Sequence, residues 1–152
     1  MKQLRKTSRR AAKSSDLVEA AAGVGRIAQQ CGACHATTKG GPGIAQALDL
    51  PPQQWDEGQN MALHAWATEW MWLGLLAAED GAWLRGAEAL DDKPLPPRFA
   101  NAPAPTDQPQ LEQLVYILAN RALDVPVAER GALMGQLLAT CAECHVTERD
   151  AR

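Results

Sequence analysis

The chain of 152 residues has four cysteines, and they fall in two copies of one pattern, "CGACH" at residues 31–35 and "CAECH" at residues 141–145. Thiols at i and i+3 with an imidazole directly after them open three kinds of chemistry. Two Cys-x-x-Cys pairs can hold zinc through four thiolates. The halves of a structural zinc site, however, ordinarily stand within ~15–20 residues of each other on turns, and these stand at the two ends of the chain. Thiol–disulfide exchange uses one pair at a helix N-terminus in a βαβ setting, where the helix dipole lowers the thiol pKa. Covalent haem attachment uses both thiols, one helical turn apart, to form thioethers with the two vinyl groups, and uses the following His as proximal iron ligand. Only the third chemistry accounts for the spacing, the fifth residue and the use of every cysteine. The expected cofactors are therefore two covalent haem c groups, one on Cys31, Cys34 and His35, the other on Cys141, Cys144 and His145.

The surroundings of the two motifs match as well. "GRIAQQCGACHATTK" (25–39) and "GQLLATCAECHVTER" (135–149) align without a gap. Gly25 and Gly135 each precede the first cysteine by six residues, Thr37 and Thr147 follow the His by two, and Lys39 and Arg149 follow it by four. One device is built twice, a helix that ends in its own Cys-Cys-His cluster.

Three histidines occur in the chain. With His35 and His145 assigned as proximal ligands, His64 in "MALHAWATEWMW" is the candidate for a sixth ligand, and the shorter chain path points it at the first haem. A core histidine bonded to a carbonyl is the plain alternative. Met71, or else Met61, is the candidate ligand for the other iron, against the ordinary role of methionine as core filler. Five tryptophans, Trp55, Trp66, Trp70, Trp72 and Trp83, crowd the middle third and are expected to pack on the porphyrins or between helices.

The elements that must position these groups are helices. Asp16 with Glu19 three residues on reads as a capping box. From there the stripe Leu17, Ala21, Val24, Ile27/Ala28, Cys31, Cys34/His35 predicts a helix whose buried face carries the motif. "KGGPGIAQALDLPPQQ" breaks it. A second helix over about 57–78 is apolar on most sides and should be central. A short third follows near 81–90, and "DDKPLPPRFANAPAPT" is a proline-spaced crossing. Thr106 caps a fourth helix with Leu111, Leu114, Val115 and Leu118 as its buried side. A final helix runs from near Pro126 through Leu133, Leu137, Leu138 and Cys141 to His145. The expected fold is all-α, four bundled long helices plus a short one, with residues 16–152 as one domain. The basic opening "MKQLRKTSRRAAKSSD" has the character of an export signal without its apolar stretch, so residues 1–15 are expected to be a disordered basic tail or a signal remnant.

"LLATCAECHVTER" (137–149) resembles the C-terminal haem helix of the class II c-type cytochromes, the cytochrome c-prime and c-556 group. In that group a bundle helix near the chain's end carries Cys-x-x-Cys-His with a basic residue four positions after the His, where Arg149 stands here. The resemblance implies a four-helix bundle with haem wedged between helices near one end, and a homodimer through the first two helices. The chain departs from the group in its second motif, since class II proteins carry one haem and their first helix supplies or withholds the sixth ligand. Di-haem cytochromes with two class I domains are the alternative. The apolar middle helix and the internal echo favour one shared bundle.

Composition narrows the function. A net charge of −3 argues against nucleic acid or an anionic membrane as partner, and no stretch approaches the ~18–20 apolar residues of a membrane span. Two haems in 16.3 kDa with no second recognisable site point to a non-enzymatic electron carrier whose partners are other redox proteins. Haem attachment of this type places it in the periplasm. The other reading is a binder of nitric oxide, carbon monoxide or peroxide, or a haem enzyme, with one open iron. A peroxidase would need polar groups over that iron, for which Glu69 and Gln59 are weak candidates.

Overall fold

A computed structural model describes residues 2–40, 60–92 and 108–150, with side chains for 2–40, 63–91 and 110–145. Six α-helices run through them: α1 (Lys2–Ala11), α2 (Leu17–Thr38), α3 (Asn60–Ala77), α4 (Asp80–Asp92), α5 (Gln108–Asp124) and α6 (Arg130–Asp150), the last entered through a 3-10 turn at Val127–Glu129. No strand occurs among the described residues, so the all-α expectation holds. Residues 41–59 and 93–107, where the sequence predicts loops and where Trp55, Gln59 and the expected Thr106 cap fall, lie outside the described residues, as does the side chain of Met61.

Local chemistry explains the helix ends. The Asp16 carboxylate accepts from the Glu19 amide at 2.9 Å and starts α2. The Glu19 carboxylate does not complete the capping box. It accepts instead from Arg10 at 2.9 Å and from Ser14 at 3.1 Å. Lys39 ends α2 in the left-handed region at φ 52°, its amide donating to the His35 carbonyl. Ala78 ends α3 the same way at φ 61°, and the Glu79 amide reaches back to the Gly74 carbonyl at 2.9 Å. Both are left-handed closures that use up orphan carbonyls at a helix end.

The core gathers where α3 meets its neighbours. Met71, Trp83, Met134 and Leu137 are fully buried. The cluster around them draws Ala28 from α2, Ala67 and Leu75 from α3, Ala87 and Leu90 from α4, and Val115, Leu118 and Ala122 from α5. The central place expected for the second helix is the place α3 takes. Trp83 packs between helices, its indole N–H donating to the Ala122 carbonyl at 2.8 Å with the Arg130 guanidinium 5.2 Å over its ring.

Two expectations change. Residues Lys2–Ala11, read from the sequence as a basic tail, form α1. Leu4, Thr7, Ser8 and Ala11 make a half-buried stripe, Ala11 packs on Gly23, and Gln30 donates to the Thr7 hydroxyl at 3.2 Å. Apart from Leu4 the stripe is made of small and hydroxylic residues, too weakly apolar for periodicity to register it. On α5, Leu114 is not part of the buried side but 39% exposed. Ala119 and Ala122 are fully buried instead, because this helix meets α4 and α6 along its alanines.

α2 and α6 lie against each other where glycines remove the side chains. A methyl group on Gly25 would strike the Gly131 carbonyl and stand 2.9 Å from the Gly135 nitrogen; one on Gly135 would stand 2.8 Å from the Ala22 Cα. Gly25 and Gly135, the equivalent glycines of the internal echo, therefore meet at the crossing. Gln29 of α2 accepts from the Gly131 amide at 2.8 Å, so the pairing is antiparallel: as α2 advances, its partners on α6 recede.

Candidate functional site

The antiparallel crossing sends the two motifs apart. Each first cysteine lies six residues beyond its own glycine in the direction of its own helix. At 1.5 Å per residue the two motifs stand about 18 Å apart along the pair. α3 measures the same separation. Its C-terminal end meets the first motif, where Gly32 packs on the Leu75 carbonyl and His35 bonds Leu76. Its N-terminal part meets the second, where His64 faces Cys141. The twelve residues from His64 to Leu76 rise about 18 Å.

This arrangement speaks against two of the chemistries open to the cysteines. Four thiolates on one zinc would each need an S–Zn distance near ~2.3 Å, which motifs at opposite ends of a helix pair cannot provide. Among the described residues no group of three or more His, Cys, Asp or Glu could hold a metal ion. Disulfide exchange wants a lowered thiol pKa at a helix N-terminus. None of the four cysteines is in a disulfide; they lie in the C-terminal halves of α2 and α6, and Cys141 is pushed the other way, up to about 11, by burial and by the neighbouring Cys144.

At the first motif Cys31 is half-buried and Cys34 exposed. The half-buried His35 has Nδ1 at 2.6 Å from the Leu76 carbonyl. A carbonyl only accepts, so Nδ1 donates, and in the neutral ring this leaves the lone pair on Nε2, the tautomer that binds a metal through Nε2. The same bond satisfies a carbonyl in the last turn of α3, so His35 also has a structural task, one that sequence reasoning missed.

The second motif is built differently. Met134, Leu138, Cys141 and His145 follow at steps of four, three and four residues along one face of α6. Met134 and Leu138 form one wall of an open, apolar groove of about 360 Å³, closed by Val24 of α2 and by Thr68, Glu69 and Trp72 of α3. Glu69 is exposed, as a solvated surface residue would be, and stands at the open side of this groove. His64 brings its Nε2 to 3.9 Å from the Cys141 sulfur. Its pKa is lowered, first by burial and then by His145, which favours the neutral, metal-binding imidazole. The chain-path expectation that His64 serves the first motif is corrected: folding α3 back along the pair carries it to the second. The partial exposure of Leu17, Val18 and Val24, at 45%, 60% and 37%, leaves further apolar surface on the α2 half beside this groove.

The residues present fit a flat apolar group with a covalent tether. The second motif has both thiols, an imidazole on the face that continues the groove, and a second imidazole 3.9 Å from its first thiol; the first has both thiols and an imidazole whose Nδ1 is held by a carbonyl. Met71 is not brought to either motif in this way. It is fully buried in the core and packs on Gly86 of α4. A second cavity of about 100 Å³ beside Gln29, Ala33 and Ala36 lies on the face of α2 turned away from Cys31 and Cys34, and its Arg130–Asp80 ion pair belongs to the scaffold. The groove residues Val24, Trp72 and Leu138 were visible in the sequence only as members of apolar stripes. Comparison of the chain with protein-family models, curated proteins and solved structures finds no match.

Proposed function

We propose that this protein is a periplasmic c-type cytochrome in which a four-helix bundle carries two haem c groups and exchanges electrons with other redox proteins. One observation carries the reading: two complete Cys-x-x-Cys-His motifs end two antiparallel helices, far enough apart for each to hold a group of its own. When bound, haem supplies an iron that moves between ferrous and ferric states. The chain's residues do the rest. Cys31 and Cys34, and Cys141 and Cys144, tether; His35 and His145 are the proximal ligands; the Leu76 carbonyl holds the His35 ring in orientation; the apolar groove beside Cys141 keeps water from one face.

A second reading attaches to the first motif. With His64 at the second motif and Met71 in the core, no imidazole is left as sixth ligand at His35. An iron there would be open to carbon monoxide, nitric oxide or peroxide. The test is the optical spectrum of the dithionite-reduced protein, produced with an export signal and the c-type maturation machinery, before and after carbon monoxide. Two haems per chain with about half of the signal moved by the gas is the expected result. No movement would remove the ligand-binding reading and leave the carrier, whereas a chain without haem bands would overturn both.

A further inference from the structure

Six of the fifteen basic residues, Lys2, Arg5, Lys6, Arg9, Arg10 and Lys13, fall within the first thirteen positions, which contain no Asp or Glu. The rest of the chain has nine basic and eighteen acidic residues, so a nearly neutral protein is sharply divided in charge. The structure determines where the positive part goes. α1 runs antiparallel to α2, since Ala11 packs on Gly23 and Thr7 bonds Gln30. Five residues further toward its start, Lys2 lies level with residues 33–35 of α2, about 7.5 Å along the axis from the Thr7–Gln30 contact. All six basic side chains are exposed. Of these six, Arg10 alone is ion-paired to a described residue, Glu19.

We infer that the outer face of α1 is a docking surface for an acidic patch on a partner protein, and that it seats this partner beside Cys34 and the first motif. An extended polyanion, such as a lipid surface or nucleic acid, fits less well. The half-buried stripe of α1 is spent on α2, so the helix has no apolar face to insert among lipids. An extended anionic surface would also press against the acidic remainder of the molecule, whereas a partner's local patch meets only the six cations. Charges displayed this way raise association rates and set orientation, and salt screens them over about 8–10 Å.

The partner site rests on the cytochrome reading only for its purpose. The test therefore measures binding and haem content on the same sample of full-length protein. A short fluorescein-labelled peptide with one cluster of six glutamates, the size of a local acidic patch, serves as the acidic probe, followed by anisotropy at 20 and 300 mM salt. Vesicles of phosphatidylglycerol and phosphatidylcholine are run in parallel. Carbodiimide cross-links to a carboxylate-rich probe peptide are mapped by mass spectrometry. Binding that weakens at least tenfold over this salt range, cross-links at Lys2 and Lys6, and loss of both in the Lys2→Glu, Lys6→Glu, Arg9→Glu variant are expected. Circular dichroism and the haem spectrum of that variant should equal those of the parent. A haem-loaded protein that ignores the peptide, or that prefers the vesicles, overturns the docking surface and leaves the cytochrome reading intact. A haem-free protein that binds the peptide through α1 does the reverse.

Discussion

Cys34 and Cys141 are both first or second thiols of the same five-residue pattern, yet their surroundings differ more than their sequence does. Cys34 is exposed. Cys141 lies under α3 with an imidazole at 3.9 Å and a thiol pKa raised from 9.0 to about 11. In protein produced without haem, iodoacetamide at pH 8 should label Cys34 first. Cys141 should lag well behind, because its raised pKa lowers its own thiolate content and α3 hinders access to its sulfur. Peptide mass spectrometry of a time course checks this, and equal labelling would show that α3 does not cover the second motif. His64 belongs to the same scale. If its imidazole caps the second iron, His64→Ala in the haem-loaded protein should convert the remaining gas-insensitive half of the reduced spectrum into a gas-sensitive one. The mutation should leave the haem stoichiometry at two, because neither thiol nor proximal ligand is touched.

Between elements the most demanding contact is the glycine crossing of α2 and α6. A methyl group on Gly25 meets backbone on the other helix, which cannot rotate away as a side chain can. Gly25→Ala should therefore cost about 1–3 kcal/mol or more by urea unfolding. Gly81 of α4 has nothing within 4 Å of a built methyl group, so Gly81→Ala should be neutral or stabilising by up to about 1 kcal/mol. A Gly25 variant as stable as the parent would deny the crossing. The α1–α2 junction is electrostatic at its tip. Glu19 has its pKa lowered from 4.5, first by the hydrogen bond from Arg10, then by that from Ser14. A carboxylate of this kind stabilises the junction above its ordinary pKa, and the contribution is lost as pH falls through the lowered value. Amide shifts of residues 2–11 should hold down to pH 4.5 and change below it, and Glu19→Gln should remove that dependence.

As a whole, the molecule puts two similar devices at opposite ends of one helix pair and gives them unequal company. The first motif has a basic helix at its side and a carbonyl behind its imidazole; the second has an apolar groove and His64. Separate helix ends imply separate occupancy. The double variant Cys31→Ser, Cys34→Ser should lose one haem and keep the other. The reduced spectrum would fall to about half, and the part that remains would be insensitive to carbon monoxide. Loss of both haems in that variant would mean that the two motifs form one site after all.

The two motifs, as patterns, and most helix limits could be read from the residues alone. Spacing within "CGACH" and "CAECH" is local, as are the Asp16 cap and the apolar stripes of α2, α3 and α6, and local patterns survive in a linear string. The all-α class followed from them. Other features depend on contacts between residues remote in sequence. No periodicity tells which way α3 returns along the pair, so His64 was matched to the nearer motif in the chain rather than to the one beside it in space. Leu114 fits the stripe of α5, but the stripe does not say how broad a face α4 and α6 cover. The weakly apolar side of α1 has meaning only once Gly23 and Gln30 of α2 are there to receive it. The echoing glycines Gly25 and Gly135 were visible as a repeat, while their meeting at the crossing, which drives the two motifs to opposite ends, is a consequence of close backbone packing that only the tertiary structure determines.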